Sequence, residues 1–352
     1  MKPLLLVLCL SHAALQAQEA ASGFELGGSF SSTASMPTQD VHPVTAEARS
    51  LLYPTLKLNS HWSASATVQT RVHLSQIDAG SVNFAPGERT RTDVLQAYVT
   101  YARIWHNGSF AVRAGKLSSA FGSFLLRYDD ARNPLIGTPL AYGYYAPVSP
   151  AGVTGAEIDL TLGKLDLRAQ AANSSPANPR SLTDSDQYRN WAGGIGYAIR
   201  QGFRVGVSGY RGPYLDRHYL YYFPGEAKPH DLPASGWGTD VQWGHGPWNI
   251  DGEWQKFQMN YRAIPNFREH TGYAEARRVL HPRCYIAARL GYVRANAFPG
   301  SQVYEAAAGF RPGARQILKL GYQVQQIAGG RTTGAIALQF VTTVKALAFA
   351  RD

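Results

Sequence analysis

The sequence predicts an all-β fold, a single antiparallel barrel of about sixteen strands that spans a membrane. Three observations predict it: apolar and polar residues alternate with a period of two from Gly23 almost to the C-terminus, short turns and longer loops take strict turns along the chain, and charge is scarce. Charged residues make up 16% of the 352, against roughly 25% in ordinary soluble domains, while Gly (35) and Tyr (20) are frequent. Beyond the first residues no apolar run reaches the ~18 residues of a helical span, which excludes helical crossings.

The chain opens with Lys2, an apolar run over 4–10 and a small-residue stretch over 13–17, the layout of a secretory signal peptide. The expected organisation is therefore a signal peptide at 1–17 and one barrel domain over 18–352. Cys9 falls in the leader, which leaves Cys284 alone. An exported chain without an internal disulfide must be held by a large core or a closed sheet.

Alternation is clearest where Ala64, Ala66, Val68, Thr70 and Val72 interleave with Ser65, Thr67, Gln69 and Arg71. The same split separates Leu165, Leu167, Ala169 and Ala171 from Asp166, Arg168 and Gln170, and Leu318, Leu320 and Tyr322 from Lys319 and Gly321. Short connections fall near 60–62, 105–108, 162–164, 201–202, 244–247, 281–282 and 312–314. Longer ones lie at 34–49, 77–92, 117–152, 175–189, 212–235, 262–268, 295–301 and 328–332. Seven turns and eight loops join sixteen strands. Trp105, Phe110, Trp243, Trp248, Tyr285 and Phe310 flank the turns, and Trp191, Tyr210, Trp237, Trp254, Tyr292 and Tyr304 sit toward the loops, so two interfacial aromatic bands are expected.

The formal net charge of +10 is spread singly along the strands rather than clustered, so no nucleic-acid partner is expected. Parity sends Arg71, Arg113, Arg168, Arg204, Arg277, Arg289 and Lys319 to the interior. It sends Glu157, Asp159, Asp166, Asp240, Asp251, Glu253, Glu275 and Glu305 there as well, so any preference for one sign of ion should be mild. No Gly-x-Ser-x-Gly elbow, phosphate loop or His-Glu-x-x-His motif occurs, and the ten histidines, among them His42, His218, His230 and His270, are dispersed. Neither a cofactor nor a metal is expected.

The longest connection, 117–152, carries Arg127, Asp129, Asp130 and Arg132 between the apolar Phe121, Phe124 and Leu135. Arg113-Ala114-Gly115-Lys116, Ala120-Phe121-Gly122 and Tyr128-Asp129-Asp130-Ala131-Arg132-Asn133-Pro134 resemble the corresponding region of Gram-negative outer-membrane porins, of the phosphate-selective type. The motif covers about a tenth of the chain, and the hairpin layout extends the resemblance over the rest. The dense ladder of Arg and Lys that phosphate selectivity would need is not evident. The resemblance implies a passive channel whose third external loop folds into the lumen. Arg127, Asp129, Asp130 and Arg132 would then sit at the constriction, with Arg71, Arg113, Glu157, Arg168, Arg204 and Arg289 lining the lumen. Two arrangements of these charges stay open: a transverse field, with basic residues on one wall facing the acidic pair of the loop, or charges that merely pair and hydrate the lumen. The partners implied are outer-membrane lipid, small hydrophilic solutes or ions, and two further copies in a homotrimer. A barrel enzyme of esterase or phospholipase type and a barrel plugged by its own loops stay open as alternatives.

Overall fold

The computed structural model describes residues 22–39, 44–73, 89–123, 127–142, 152–176, 188–215, 224–330 and 332–350, with side chains of the last strand through Val344. Residues 1–17, where a signal peptide is expected, lie outside the described residues with Cys9, as do Phe124, His42 and His218.

Sixteen strands follow one another: β1 (Gly23–Pro37), β2 (Thr45–Lys57), β3 (Trp62–His73), β4 (Thr90–Trp105), β5 (Gly108–Leu117), β6 (Val153–Leu162), β7 (Leu165–Ala172) and β8 (Asn190–Arg200). The second half comprises β9 (Phe203–Pro213), β10 (Pro233–His245), β11 (Trp248–Met259), β12 (Phe267–His281), β13 (Cys284–Ala295), β14 (Ser301–Phe310), β15 (Gln316–Ile327) and β16 (Thr332–Ala350). Each pairs antiparallel with its neighbour in sequence, and β16 returns to β1 to close the barrel. All seven expected turns are present. The first two strands run further than alternation indicates, with β1 reaching Pro37 and β2 starting at Thr45. Their ends are small and polar, so the sheet hydrogen bonds rather than a greasy face extend them.

Turn chemistry sets the hairpins. At Gly246-Pro247 the glycine has φ +56, and an added Cβ would meet nothing within 4 Å. The requirement is purely conformational: a positive φ followed by the fixed φ of proline is the two-residue turn whose twist matches the flanking strands.

The pleat separates two environments. Outward positions expose Trp191 (63%), Ile195, Val207, Leu290, Leu320 (55%), Leu338 and Phe340, while inward positions bury Gln255, Glu275, Arg289, Lys319 and Gln339. So large an apolar outer surface around a charged interior is stable in lipid and not in water. Trp105, Phe110, Trp243, Trp248 and Phe310 face outward near the turns, and Trp191, Trp237, Trp254, Tyr292 and Tyr304 do so toward the loops. Two aromatics depart from the expected bands. Tyr285 shares the inward face with Ala287 and Arg289, and its hydroxyl donates to the Pro134 carbonyl at 3.1 Å. Tyr210, inward beside Ser208, donates to Asn190 Oδ1 and the Pro213 carbonyl.

An arginine at the lipid face should therefore cost far more than one at the water face. Leu320→Arg, halfway along β15, is expected to lower unfolding stability in a bilayer by about 2–4 kcal/mol. Gln242→Arg, inward on β10, should cost under about 1 kcal/mol. Urea titrations of the two variants in vesicles, followed by tryptophan emission, check the difference.

Candidate functional site

The connection between β5 and β6 enters the barrel instead of covering its mouth. It leaves β5 beside β7, where the Gln170 amide donates to the Ser118 carbonyl (2.8 Å) and the Ala120 amide donates back to Gln170 Oε1 (3.1 Å). Phe121 is fully buried against Tyr142, Tyr210 and Phe257 in an apolar footing on β9–β12. Gly122 follows with φ +79, and a Cβ there would stand 2.5 Å from Tyr142 Oη and 2.6 Å from Glu253 Oε1. Only glycine lets the backbone come so close. The Glu253 carboxylate then accepts the Tyr142 hydroxyl (2.6 Å), the Ser123 hydroxyl (3.1 Å) and the Gln255 amide (2.7 Å), so this buried acid is fully occupied.

The next described residues cross the lumen. Arg127 donates to Glu275 (2.6 Å) and Asp251 (3.1 Å) on β12 and β11, and to the Tyr273 hydroxyl (3.1 Å). Its immediate neighbour Tyr128 lies against β2 and β3. There the Tyr128 hydroxyl donates to Gln69 Oε1 (3.1 Å) and accepts from Arg71 (2.7 Å), and the Arg49 guanidinium stands 4.2 Å from its ring centre. β3 and β11 are eight strands apart in a ring of sixteen, so two consecutive loop residues touch opposite walls. Burial disfavours the Arg127 charge, yet Tyr273, Glu275 and Asp251 hold its pKa above the ordinary arginine value.

Asp129 and Asp130 do not face a basic wall across water, as the transverse-field arrangement would have it; they are seated on that wall. Asp129 accepts from Ser29 (2.8 Å), Tyr53 (2.6 Å) and the Ala131 amide (2.9 Å). Asp130 accepts from Ser31 (2.5 Å) and pairs with Arg49 at 2.9 Å. Beyond them the Lys319 ammonium, buried on β15, lies within hydrogen-bond reach of the carbonyls of Asp130 (2.6 Å), Asn133 (2.8 Å) and Leu135 (3.1 Å), and of Gln339 Oε1 (2.9 Å). Leu135 fills a second apolar footing with Tyr285, Ala307, Ile317 and Val341. Arg132 stays exposed and forms no ion pair among the described residues.

Seating the loop divides the inner wall. On β12–β14, Arg289 bridges Glu275 (3.2 Å) and Glu305 (2.6 Å) and donates to the Gly137 carbonyl, and its side chain has no exposure at all. Expected among the lumen-lining residues, Arg289 is instead sealed beneath the loop, because the chain at 133–137 lies directly over it. On β5–β10 the belt stays wet. Arg113 pairs with Glu157 (2.7 Å) and with Asp159, Arg168 pairs with Asp159 (3.0 Å), and Arg204 sits between Asp166 (2.6 Å) and Asp240 (2.5 Å). The Arg113 and Arg204 side chains keep 28% and 27% exposure. Glu157 is the exception on this wall, buried under Arg113 and the Gln170 amide. Arg71 reaches Tyr128 and stands 3.9 Å from Glu47. Arg277 faces inward near the turns, where it contacts Asn249 at 3.4 Å.

Sequence reasoning did not find the partners that seat the loop: Arg49, Tyr53, Ser29 and Ser31 on one wall, and on the other Glu253, which the loop's own Tyr142 reaches. Period two places each of the strand residues inward, but nothing local links them to residues about a hundred positions away.

No protein-family model and no curated protein sequence matches the chain. Solved structures do. An anion-selective porin from Comamonas acidovorans superposes with a TM-score of 0.64 at 10% identity, covering 92% of this chain and 100% of that one. The trimer form of OmpT, an outer membrane protein of Vibrio cholerae, gives 0.61 at 9% identity over 92% and 100%. OmpF of Salmonella typhi, in complex with daunomycin, gives 0.61 at 10% identity over 91% and 97%. At these identities the likeness is one of fold: a closed sixteen-stranded barrel of the outer-membrane type.

Proposed function

We propose that the chain is an outer-membrane channel through which small hydrophilic solutes or ions diffuse passively, without a catalytic step. One observation carries the reading: the inserted loop seals the β12–β15 wall and leaves the ion-pair belt of β5–β10 in water. The proposed path runs along that belt, between Arg113, Arg168 and Arg204 on the wall and the Arg127–Tyr128 crossing, with Arg132 as the exposed charge of the loop. Each belt arginine is paired with one or two carboxylates, so the field is close to neutral and sorting by sign is weak. This arrangement gives no support to phosphate selectivity. The short-turn end faces the periplasm and the long-loop end the exterior, as is usual for such barrels.

A plugged barrel is the competing reading, favoured by the two apolar footings that fix the loop inside. A homotrimer is the oligomer we favour. Toward the long-loop end, the outward face of β1 and β2 carries the small Ser32, Ala34, Ala46, Ala48 and Ser50 between the exposed Phe30 and Met36, a surface on which a neighbour can pack, and one structural relative is described as a trimer.

Swelling of liposomes containing the refolded protein tests the reading. A pentose should enter faster than a disaccharide, and no swelling with either sugar would favour the plug. Lys319→Met, which deprives three loop carbonyls of their donor at about 1–3 kcal/mol each, should loosen the loop and let the disaccharide in faster. The pair Arg113→Gln and Arg168→Gln leaves Glu157 and Asp159 uncompensated. Reversal potentials in a salt gradient should shift toward cation preference, and an unchanged value would place the path elsewhere.

A further inference from the structure

The inner face is nearly balanced in charge, so the formal excess of +10 must reside elsewhere. Part of it is gathered on one outer sector at the long-loop end of β8–β13, where register orders the outward side chains by depth. The highest row runs Trp191–Arg211–Ser235–Gln258–Arg268 across β8 to β12. The row below it is Trp237–Lys256–His270–Arg294 across β10 to β13. Next comes Thr239–Trp254–Gly272–Tyr292, and then Val241–Gly252–Ala274–Leu290. On β11 Lys256 thus stands over Trp254, and on β13 Arg294 stands over Tyr292 and Tyr292 over Leu290. Trp237 and Trp254 pack edge to face at 4.5 Å, and Trp254 lies 6.0 Å from His270.

That order matches a lipid leaflet: acyl chains against the aliphatic row, the glycerol or sugar level at the indoles, and phosphate at the guanidinium groups. Among the described residues it is confined to one sector of the long-loop end. At the same end β1–β4 show outward Ala34, Met36, Ala46, Thr70 and Thr92. Above Trp191 a cleft of about 730 Å³ opens between Arg189 and Arg211, lined also by Ser235, Asn260 and one acid, Asp231. Asp231 lies 3.4 Å from His230, and neither arginine has an ion pair among the described residues.

We propose that this sector binds the phosphate-bearing headgroup of a lipid in the outer leaflet, with Arg189 and Arg211 as the primary phosphate contacts and the Trp237–Arg294 row as support. Two guanidinium groups with free forks suit a phosphate monoester, which accepts two parallel hydrogen bonds from each. The proposal rests on the membrane-spanning reading above but not on the channel path.

Native mass spectrometry of the refolded barrel in detergent tests it, with diphosphoryl and monophosphoryl lipid A as probes. The wild type should retain the diphosphoryl form preferentially. Arg189→Gln with Arg211→Gln should weaken retention roughly tenfold or more, whereas Arg189→Lys with Arg211→Lys should recover most of it. Arg315→Gln, at the short-turn end, should leave retention unchanged. Heat-modifiable migration on gels verifies that each variant is folded, and conductance should not change in any of them. Equal retention by the Gln pair and the wild type would overturn the proposal. So would complete displacement of the lipid by millimolar inorganic phosphate, which would mark a site for a free anion.

Discussion

A sheet whose outer surface is apolar cannot leave an edge unpaired in lipid, where each open donor or acceptor costs several kcal/mol. The ladder between β1 and β16 meets that constraint, running from Gly23 opposite Ala350 to Pro37 opposite Ala335. Closure turns one face of every strand into an interior, and this permits Glu253, Glu275, Arg289 and Lys319 to exist at membrane depth. It also supplies the cavity that a long loop can enter.

Once inside, the loop is held by chemistry that depends on the closed wall. Its tip presents two acids to a surface of Ser29, Ser31, Arg49 and Tyr53, and its single described crossing arginine meets Asp251 and Glu275 on the far side. Opposite charges are thereby cancelled at both ends. What stays wet is the set of pairs on β5–β10 that the loop does not reach, and the functional reading follows from this asymmetry rather than from any one residue.

The strand pattern was legible because period two is local: Ala64 to Val72 and Leu165 to Ala171 declare their outward face without reference to any other part of the chain. The small polar ends of β1 and β2, Ser35 or Thr45 for example, carry no such signal, since their pairing is decided by backbone partners. Aromatic type alone misassigned Tyr210 and Tyr285, whose hydroxyls find inward partners. The interior position of the loop was reachable by resemblance, but its seating was not. Lys319 binds a carbonyl 189 residues away, and Arg289 is hidden by a segment that alternation cannot place. Contacts of that range arise only after closure.

The central claim is that a wet path survives beside the inserted loop. Single-channel recording of the wild-type protein in a planar bilayer, with reversal potential measured across a salt gradient, tests it most directly. The account predicts stable conductance steps with a reversal potential near that of an unselective pore. A folded, heat-modifiable barrel that inserts but remains electrically silent would contradict it.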